Sequence, residues 1–267
     1  MAKGDNSSNV VERAIEYWNG DEGKRGIVTL CWHWCPAARY DKSKSDPWGT
    51  FYTDKTKFNL ARAMNGSDPD GYQMLLDDID AIAVQLKRLQ DADVPVLWRP
   101  LHEASGGWFW WGASGADAYL QLYKLMYERL TNVHGLNNLI WVWNGQDAAW
   151  YPGDEYVDII GEDIYPGKHV YTSQAARFIK ALSYTDTRKL ITLSENGCIP
   201  DPEQLVRDNI MWSYWCVWEG EFVLKAAGFN NYSEQYTEKN MLKKAYKSDT
   251  VITRKELPDL RNYPLGD

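Results

Sequence analysis

Two short stretches of this chain combine residue types that can carry acid–base and nucleophilic chemistry. The first is Arg99-Pro-Leu-His102-Glu103, followed by Ala-Ser-Gly106-Gly107-Trp108-Phe-Trp-Trp111-Gly. An apolar run leads into a His-Glu pair, two glycines let the backbone turn, and an aromatic cluster follows. A carboxyl group set against apolar rings has its pKa raised by desolvation, which suits a general acid. The plain alternative for Glu103 is a salt bridge, for example to Arg99, and the flanking indoles weigh against it. The second stretch is Leu193-Ser194-Glu195-Asn196-Gly197. Asn-Gly is a strong turn signal. That accounts for Asn196 and Gly197, but not for a glutamate ending an apolar run. Two carboxylates on separate strand ends of one barrel are the equipment of glycoside hydrolysis. One protonates the leaving oxygen and the other attacks the anomeric carbon, with the pair about 5–5.5 Å apart in retaining enzymes.

Further strand ends supply candidate binding groups. His33 stands between Trp32 and Trp34, where it suits a hydrogen bond to a carboxylate or a sugar hydroxyl, although a lone histidine is more often structural. In Gly161-Glu162-Asp163-Ile-Tyr165-Pro, Tyr165 is placed to hold a nucleophile's oxygen. Asp163 is placed to bond a sugar hydroxyl or orient a neighbour. Trp212, Trp215 and Trp218 fall along one apolar run; alternation turns some of them outward as packing, and Trp218 at its end is the candidate sugar-stacking floor. Other signals are weak. His102-Glu103 is not part of H-E-x-x-H, because position 106 is Gly. Gly66 to Gly71 holds carboxylates without calcium-loop spacing and reads as a turn. No Gly-rich phosphate loop is present. The expectation is therefore no metal and no cofactor. Asn6, Asn65 and Asn231 head N-x-S/T triplets, which are common by chance.

These residues must be positioned by strands. Short apolar runs alternate with amphipathic segments, the mark of βα units and a parallel sheet. Six strands are expected: 26–32, 94–101, 139–144, 157–160, 189–193 and 211–218. Helices are expected over 10–18, 71–90, 116–132, 173–183, 202–209 and 234–247. In the second of these Leu75, Ile79, Ile82, Leu86 and Leu89 recur close to the helical period. Gly135 is placed to end or turn the third. Residues 39–70 are polar and turn-rich and read as a long loop with local helix, a common form for binding loops.

A chain of 267 residues suits one large α/β domain, residues 1–267, without a linker. The 14 Trp and 17 Tyr are an excess, and many stand beside Gly, Asn, Asp and Glu. Sugar rings stack their C–H faces on flat indoles, so this excess favours carbohydrate binding. The net charge of −8 argues against nucleic acid and against an anionic membrane surface as partners. No apolar run approaches a membrane span. The polar start lacks the apolar core of a signal peptide. Either the chain works in the cytoplasm or a leader has been removed; the substrate class favours an extracellular protein whose leader is absent from this chain. The spacing of Cys31, Cys35, Cys198 and Cys216 fits no zinc motif. Four buried thiols and a disulfide from Cys35 to a neighbouring loop are equally open.

Taken together, these residues resemble glycoside hydrolase family 26, whose best-known members are β-mannanases. The resemblance runs over nearly the whole chain: Gly26-Ile-Val-Thr-Leu-Cys-Trp-His-Trp34, the Arg99 to Gly112 stretch, Trp141-Val-Trp-Asn144, Asp163-Ile-Tyr165-Pro, Ser194-Glu195-Asn-Gly and Val251-Ile-Thr-Arg-Lys-Glu-Leu-Pro258. It implies a retaining, endo-acting hydrolase of β-1,4-mannosidic bonds in mannan, glucomannan or galactomannan, on a (β/α)8 TIM barrel. It implies Glu103 as acid/base after the fourth strand and Glu195 as nucleophile ending the seventh. His33, His102, Trp108 and Tyr165 would line the cleaved bond, with Trp218 beneath the sugar. A β-glucanase, a β-1,3-xylanase and a non-catalytic carbohydrate-binding protein stay open as alternatives. One departure stands out. If Glu103 follows the fourth strand, only about 25 residues precede the third, room for one helix. The barrel is then expected to be incomplete at its N-terminus, with six strands. A fragment, a naturally shortened member and self-association that covers the gap are the three explanations, and a shortened chain shielded by its N-terminal helix or a partner is favoured.

Overall fold

The structure is a computed structural model that describes residues 9–20, 25–36, 49–225, 231–260 and 262–264. Its contacts gather into two compact units, the first reaching to Asp158 and the second running on from Ile159. Among the described residues there are six strands, as expected, and the first pairs with the second, the second with the third, the fourth with the fifth and the fifth with the sixth, all in parallel.

The first unit contains α1 (Val10–Asn19), β1 (Val28–Cys31), α2 (Leu60–Met64), α3 (Pro69–Asp91), β2 (Val96–Arg99), α4 (Ala116–Glu128) and β3 (Leu139–Trp143). α3 begins where its sequence dictates. Asp68 accepts the Gly71 N–H through Oδ1 (3.0 Å), and Pro69 takes the first helical position, where a missing N–H costs nothing. Leu75, Ile79, Ile82, Leu86 and Leu89 are all buried, as their period requires. At about 1.5–3 kcal/mol for each such side chain, this stripe dominates the helix's stability. α1 buries Val11, Ala14 and Trp18, and its Glu12 pairs with Arg88 of α3. β1, β2 and β3 pair in sequence order, with Val28 opposite Val96 and Val96 opposite Leu139. α4 passes into a π-helical turn over Arg129–Val133, and Gly135, at φ 62°, reverses the chain toward β3. The segment read as a long loop carries α2 and a 3₁₀ turn at Thr53–Lys55; its residues 39–48, and Asn6, lie outside the described residues.

The second unit contains β4 (Ile159–Ile164), α5 (Ala175–Leu182), β5 (Leu190–Asn196), α6 (Pro202–Asp208), β6 (Trp215–Val217) and α7 (Lys239–Tyr246). Every residue of β4 is buried, as expected for a parallel strand covered on both faces. Glu162 points to the helical side, where its carboxylate is fully buried and takes bonds from Arg177 Nε (2.9 Å) and the Tyr184 hydroxyl (2.8 Å). α6 starts at an Asp201 cap followed by Pro202, and Lys244 of α7 bridges Asp201 and Glu203.

Several elements are shorter than expected, the first two strands among them (Val28–Cys31 for 26–32 and Val96–Arg99 for 94–101), and for two others the cause is visible. The sixth strand holds only Trp215–Val217 rather than 211–218, because Trp212 turns away to pack edge-on against Phe178 (5.0 Å) and to give its indole N–H to the Ser173 carbonyl (2.9 Å). α7 begins at Lys239 rather than 234, because the residues before it are held by non-helical bonds, such as His169 N–H to the Tyr236 carbonyl (3.0 Å). The four cysteines are thiols, with Cys198 buried and the other three half-buried. No helix among the described residues is long and apolar enough to cross a membrane.

Candidate active site

Four of the residues singled out by the sequence come together in the first unit, beyond the ends of β1 and β2. Leu101 and Glu103 both adopt the left-handed backbone region, at φ 54° and 51°. That conformation costs a non-glycine residue about 1–2 kcal/mol. It persists because Asn144, fully buried just past β3, clamps the turn. Glu103 N–H donates to the Asn144 carbonyl (2.7 Å) and to its Oδ1 (3.1 Å), and the same Oδ1 accepts from Arg99 Nη1 (3.2 Å). Arg99 thus serves the turn through Asn144.

The residues after Glu103 bring an indole back onto it. Gly107 sits at φ 72°, and a Cβ on Gly112 would lie 2.0 Å from the Ala104 carbonyl oxygen, so only glycine permits that approach. Trp108, 47% exposed, gives its indole N–H to Glu103 Oε2 (2.9 Å). The segment around Tyr52 braces this turn, with Thr53 N–H bonded to the Trp108 carbonyl (2.8 Å) and Trp110 N–H to the Phe51 carbonyl (3.1 Å). Tyr52 stacks on Phe109 at 5.6 Å and adds a second exposed ring beside Trp108.

The two histidines differ. His33 is half-buried, with its ring edge against Phe51 (4.7 Å) and His102 (4.8 Å) and its Nδ1 3.9 Å from the Cys31 sulfur. His102 is sealed beneath the site between Phe109 and Trp111. Burial pushes its pKa well below 6.5, and the charges of Arg99 and His33 push the same way, so it is a neutral imidazole. Behind His33, Trp34 stacks on Trp32 at 4.3 Å and donates its indole N–H to Asp78 of α3 (2.7 Å), while its carbonyl accepts from the Trp110 indole (2.6 Å).

The other four come together in the second unit, beyond β4, β5 and β6. Pairing of β4 with β5 runs Glu162 to Leu193 and then Asp163 to Glu195, so Ser194 is an extra residue in a β-bulge. Bulges re-aim side chains, and this one sets Glu195 level with Asp163. The Ser194 hydroxyl donates to Asp163 Oδ1 (2.6 Å). Glu195 is only 5% exposed, and the Tyr165 hydroxyl donates to its Oε2 (2.7 Å). The Tyr165 ring is held by Phe222 at 5.3 Å, and both rings close on Gly197, where a Cβ would meet them at 3.1–3.2 Å. Trp218 follows β6 directly, half-buried, with its N–H on the Asn196 carbonyl (3.0 Å). Sequence reasoning did not assign Ser194 its bond to Asp163, Asn144 its clamp, or Tyr52 its place beside Trp108; a strand-end Asn after Trp141-Val-Trp was the one visible signal among them.

Each cluster thus presents one glutamate under a neutral donor, an indole N–H for Glu103 and a phenol for Glu195, beside rings suited to sugar faces. Residues 2–256 match the family model described as Glycosyl hydrolase family 26. Among curated relatives, a mannan endo-1,4-β-mannosidase of Thermothelomyces thermophilus is 45% identical over 92% of this chain and 48% of its own length. A mannan endo-1,4-β-mannosidase A of Piromyces is 39% identical over 93% of this chain and 38% of its own. The chain spans about half the length of such relatives or less. Among solved structures, a β-(1,4)-mannanase of Podospora anserina superposes with TM-score 0.83 at 40% identity, covering 94% of this chain and 53% of that one. A β-mannanase from a symbiotic protist of the termite Reticulitermes speratus, complexed with a gluco-manno-oligosaccharide, superposes at 0.79 with 36% identity, covering 95% and 73%.

Proposed function

The chain belongs to glycosyl hydrolase family 26, and on that premise we propose that it is a retaining, endo-acting hydrolase of β-1,4-mannosidic bonds in mannan, glucomannan or galactomannan. The observation that carries this reading is the buried Glu195 carboxylate at the end of β5, oriented by the Tyr165 hydroxyl at 2.7 Å. In this proposal Glu195 attacks the anomeric carbon while Glu103 gives its proton to the departing glycosidic oxygen. The sugar is then esterified to Glu195. Glu103, now ionised, takes a proton from water, which attacks the same carbon and releases Glu195. The Trp108 indole N–H orients the Glu103 carboxyl, and Trp218 carries the sugar face. His33 and Asp163 contact sugar hydroxyls or the carboxylates, and His102, buried and neutral, shapes the wall beneath them.

One catalytic domain drawn from both units belongs to the proposal, as does an extracellular site of action, since the polymer is too large to enter a cell. Self-association belongs to it as well, because the six strands among the described residues stand two short of eight; a sedimentation run giving only the monomer mass would remove that part. The test is reducing-sugar release from glucomannan, galactomannan, lichenan and β-1,3-xylan, with Glu195→Ala as control. Release from the mannans that vanishes in the control supports the proposal. Release from lichenan or xylan alone moves the substrate to another β-glycan. Affinity for mannan without new reducing ends, from folded protein, turns the reading into a binding protein.

A further inference from the structure

Next to the strand that carries Glu195, the second unit holds a small cavity. It measures about 10 Å³ as the space open to the centre of a water molecule, and its lining includes Ile164, Thr172, Leu193, Asn196 and Cys198. Asn196 is 1% exposed, yet its two side-chain polar atoms fare differently. Nδ2 donates to the Cys198 carbonyl (2.8 Å), whereas the buried Oδ1 meets no protein donor. A buried amide oxygen left dry is costly, and a cavity of this size holds one water when polar partners are present. Thr172 also lines the cavity. Its hydroxyl oxygen already accepts from Gln174 Nε2 (2.6 Å), which leaves its proton to give.

We propose that this cavity is a single-water site and that Asn196 is a positioning residue that sets Glu195 through it. The water donates to Asn196 Oδ1 and accepts from the Thr172 hydroxyl. Asn196 is then tied at three points: by Nδ2 to Cys198, by Oδ1 to the water, and by its own carbonyl to the Trp218 N–H (3.0 Å). Glu195 precedes it directly and follows the bulge at Ser194, so these ties help to fix the rotation of the strand end. They also couple the glutamate to the backbone of Trp218. The side chain of Asn196 does not touch the substrate in this account; it acts through Glu195 and Trp218. The catalytic half of the inference rests on the function proposed above, and the structural half does not.

The experiment is a pair of crystal structures, wild type and Asn196→Ala, at a resolution that shows ordered water, with kinetics on the same samples. Wild type is expected to show one well-ordered water within hydrogen-bond reach of Asn196 Oδ1, and the variant to lose the Tyr165–Glu195 hydrogen bond. An empty wild-type cavity, or an unmoved Glu195 in the variant, overturns the inference whatever the protein hydrolyses. If the wild type cleaves mannan, kcat of the variant is expected to fall about tenfold with KM within twofold, the order that a sub-ångström misplacement costs. A folded variant with wild-type kcat overturns the positioning role. Should Asn196→Ala fail to fold, Asn196→Leu, of similar size but with neither donor nor acceptor, is read by the same two measures. A wild type without any turnover defeats the proposed function and leaves the crystallographic outcomes to decide the water site.

Discussion

Replacing Asp78 with Asn tests how the fold behind His33 is held. Asp78 lies on the buried face of α3, 7% exposed, and accepts the Trp34 indole N–H at 2.7 Å. Burial raises its pKa from the ordinary 3.8 to about 6, an effect that the Trp34 bond offsets in part. The folded protein therefore binds this proton more tightly than the unfolded chain does. Its contribution to stability is fully present below pH 3.8 and is lost as pH rises through about 6. At about 1.4 kcal/mol per pH unit, the gap between the two values amounts to about 3 kcal/mol. Asn keeps an acceptor for Trp34 and carries no charge, so it removes this loss. Urea denaturation of both proteins at pH 4, 5, 6 and 7 is the assay, and taking their difference at each pH cancels the other titrating groups. The stability of Asp78→Asn relative to wild type is expected to climb by about 2 kcal/mol between pH 4 and pH 7, because part of the loss already lies below pH 4. Any fixed cost of the amide shifts the whole curve without changing that climb. A difference that stays flat within about 1 kcal/mol, or one that falls with pH, would refute the reasoning.

Three further outcomes are expected. Tyr165→Phe removes the hydroxyl bonded to Glu195; a bond to a charged acceptor is worth about 1.5–3 kcal/mol, so kcat/KM on galactomannan should drop about 10- to 100-fold. Because Tyr165 is 43% exposed, the melting temperature should hardly move; a loss under twofold would remove the tyrosine from the mechanism. Glu103→Ala should slow mannan turnover by about 10²–10⁴ while sparing the first step on activated aryl mannosides, and equal losses on both would reject the acid role. Trp218→Ala should raise KM and lower kcat together, as loss of a sugar-stacking ring requires; wild-type constants from a steady-state assay would take it out of the site.

The features that the sequence reveals are those written in local patterns. The apolar face of α3 follows from spacing alone, and Glu103 and Glu195 stand out because a carboxylate ends an apolar run. The features it conceals depend on what lies alongside. The bulge at Ser194 exists only as a pairing with β4, and nothing in Leu-Ser-Glu marks it. The left-handed turns at Leu101 and Glu103 carry no glycine to announce them; Asn144, 41 residues after Glu103, stabilises that turn. Trp212 mimics a strand residue by its apolar company, yet its indole finds a carbonyl in front of α5 and leaves the ladder. Asn196, read as half of a turn dipeptide, is buried in β5 with its side chain bonded to Cys198.

The backbone at Glu103 has a consequence for anyone breeding a hardier variant. A glutamate held at φ 51° stores energy that glycine would release, and asparagine would release part of it. Heat selection on a mutant library rewards that release without asking what the side chain was for. Survivors with Gly or Asn at this position would rank high for endurance and have discarded the proposed acid. The turn thus sets selection for endurance against selection for turnover at a single codon, and a breeding scheme that alternates heat with hydrolysis at every round is the one that keeps both.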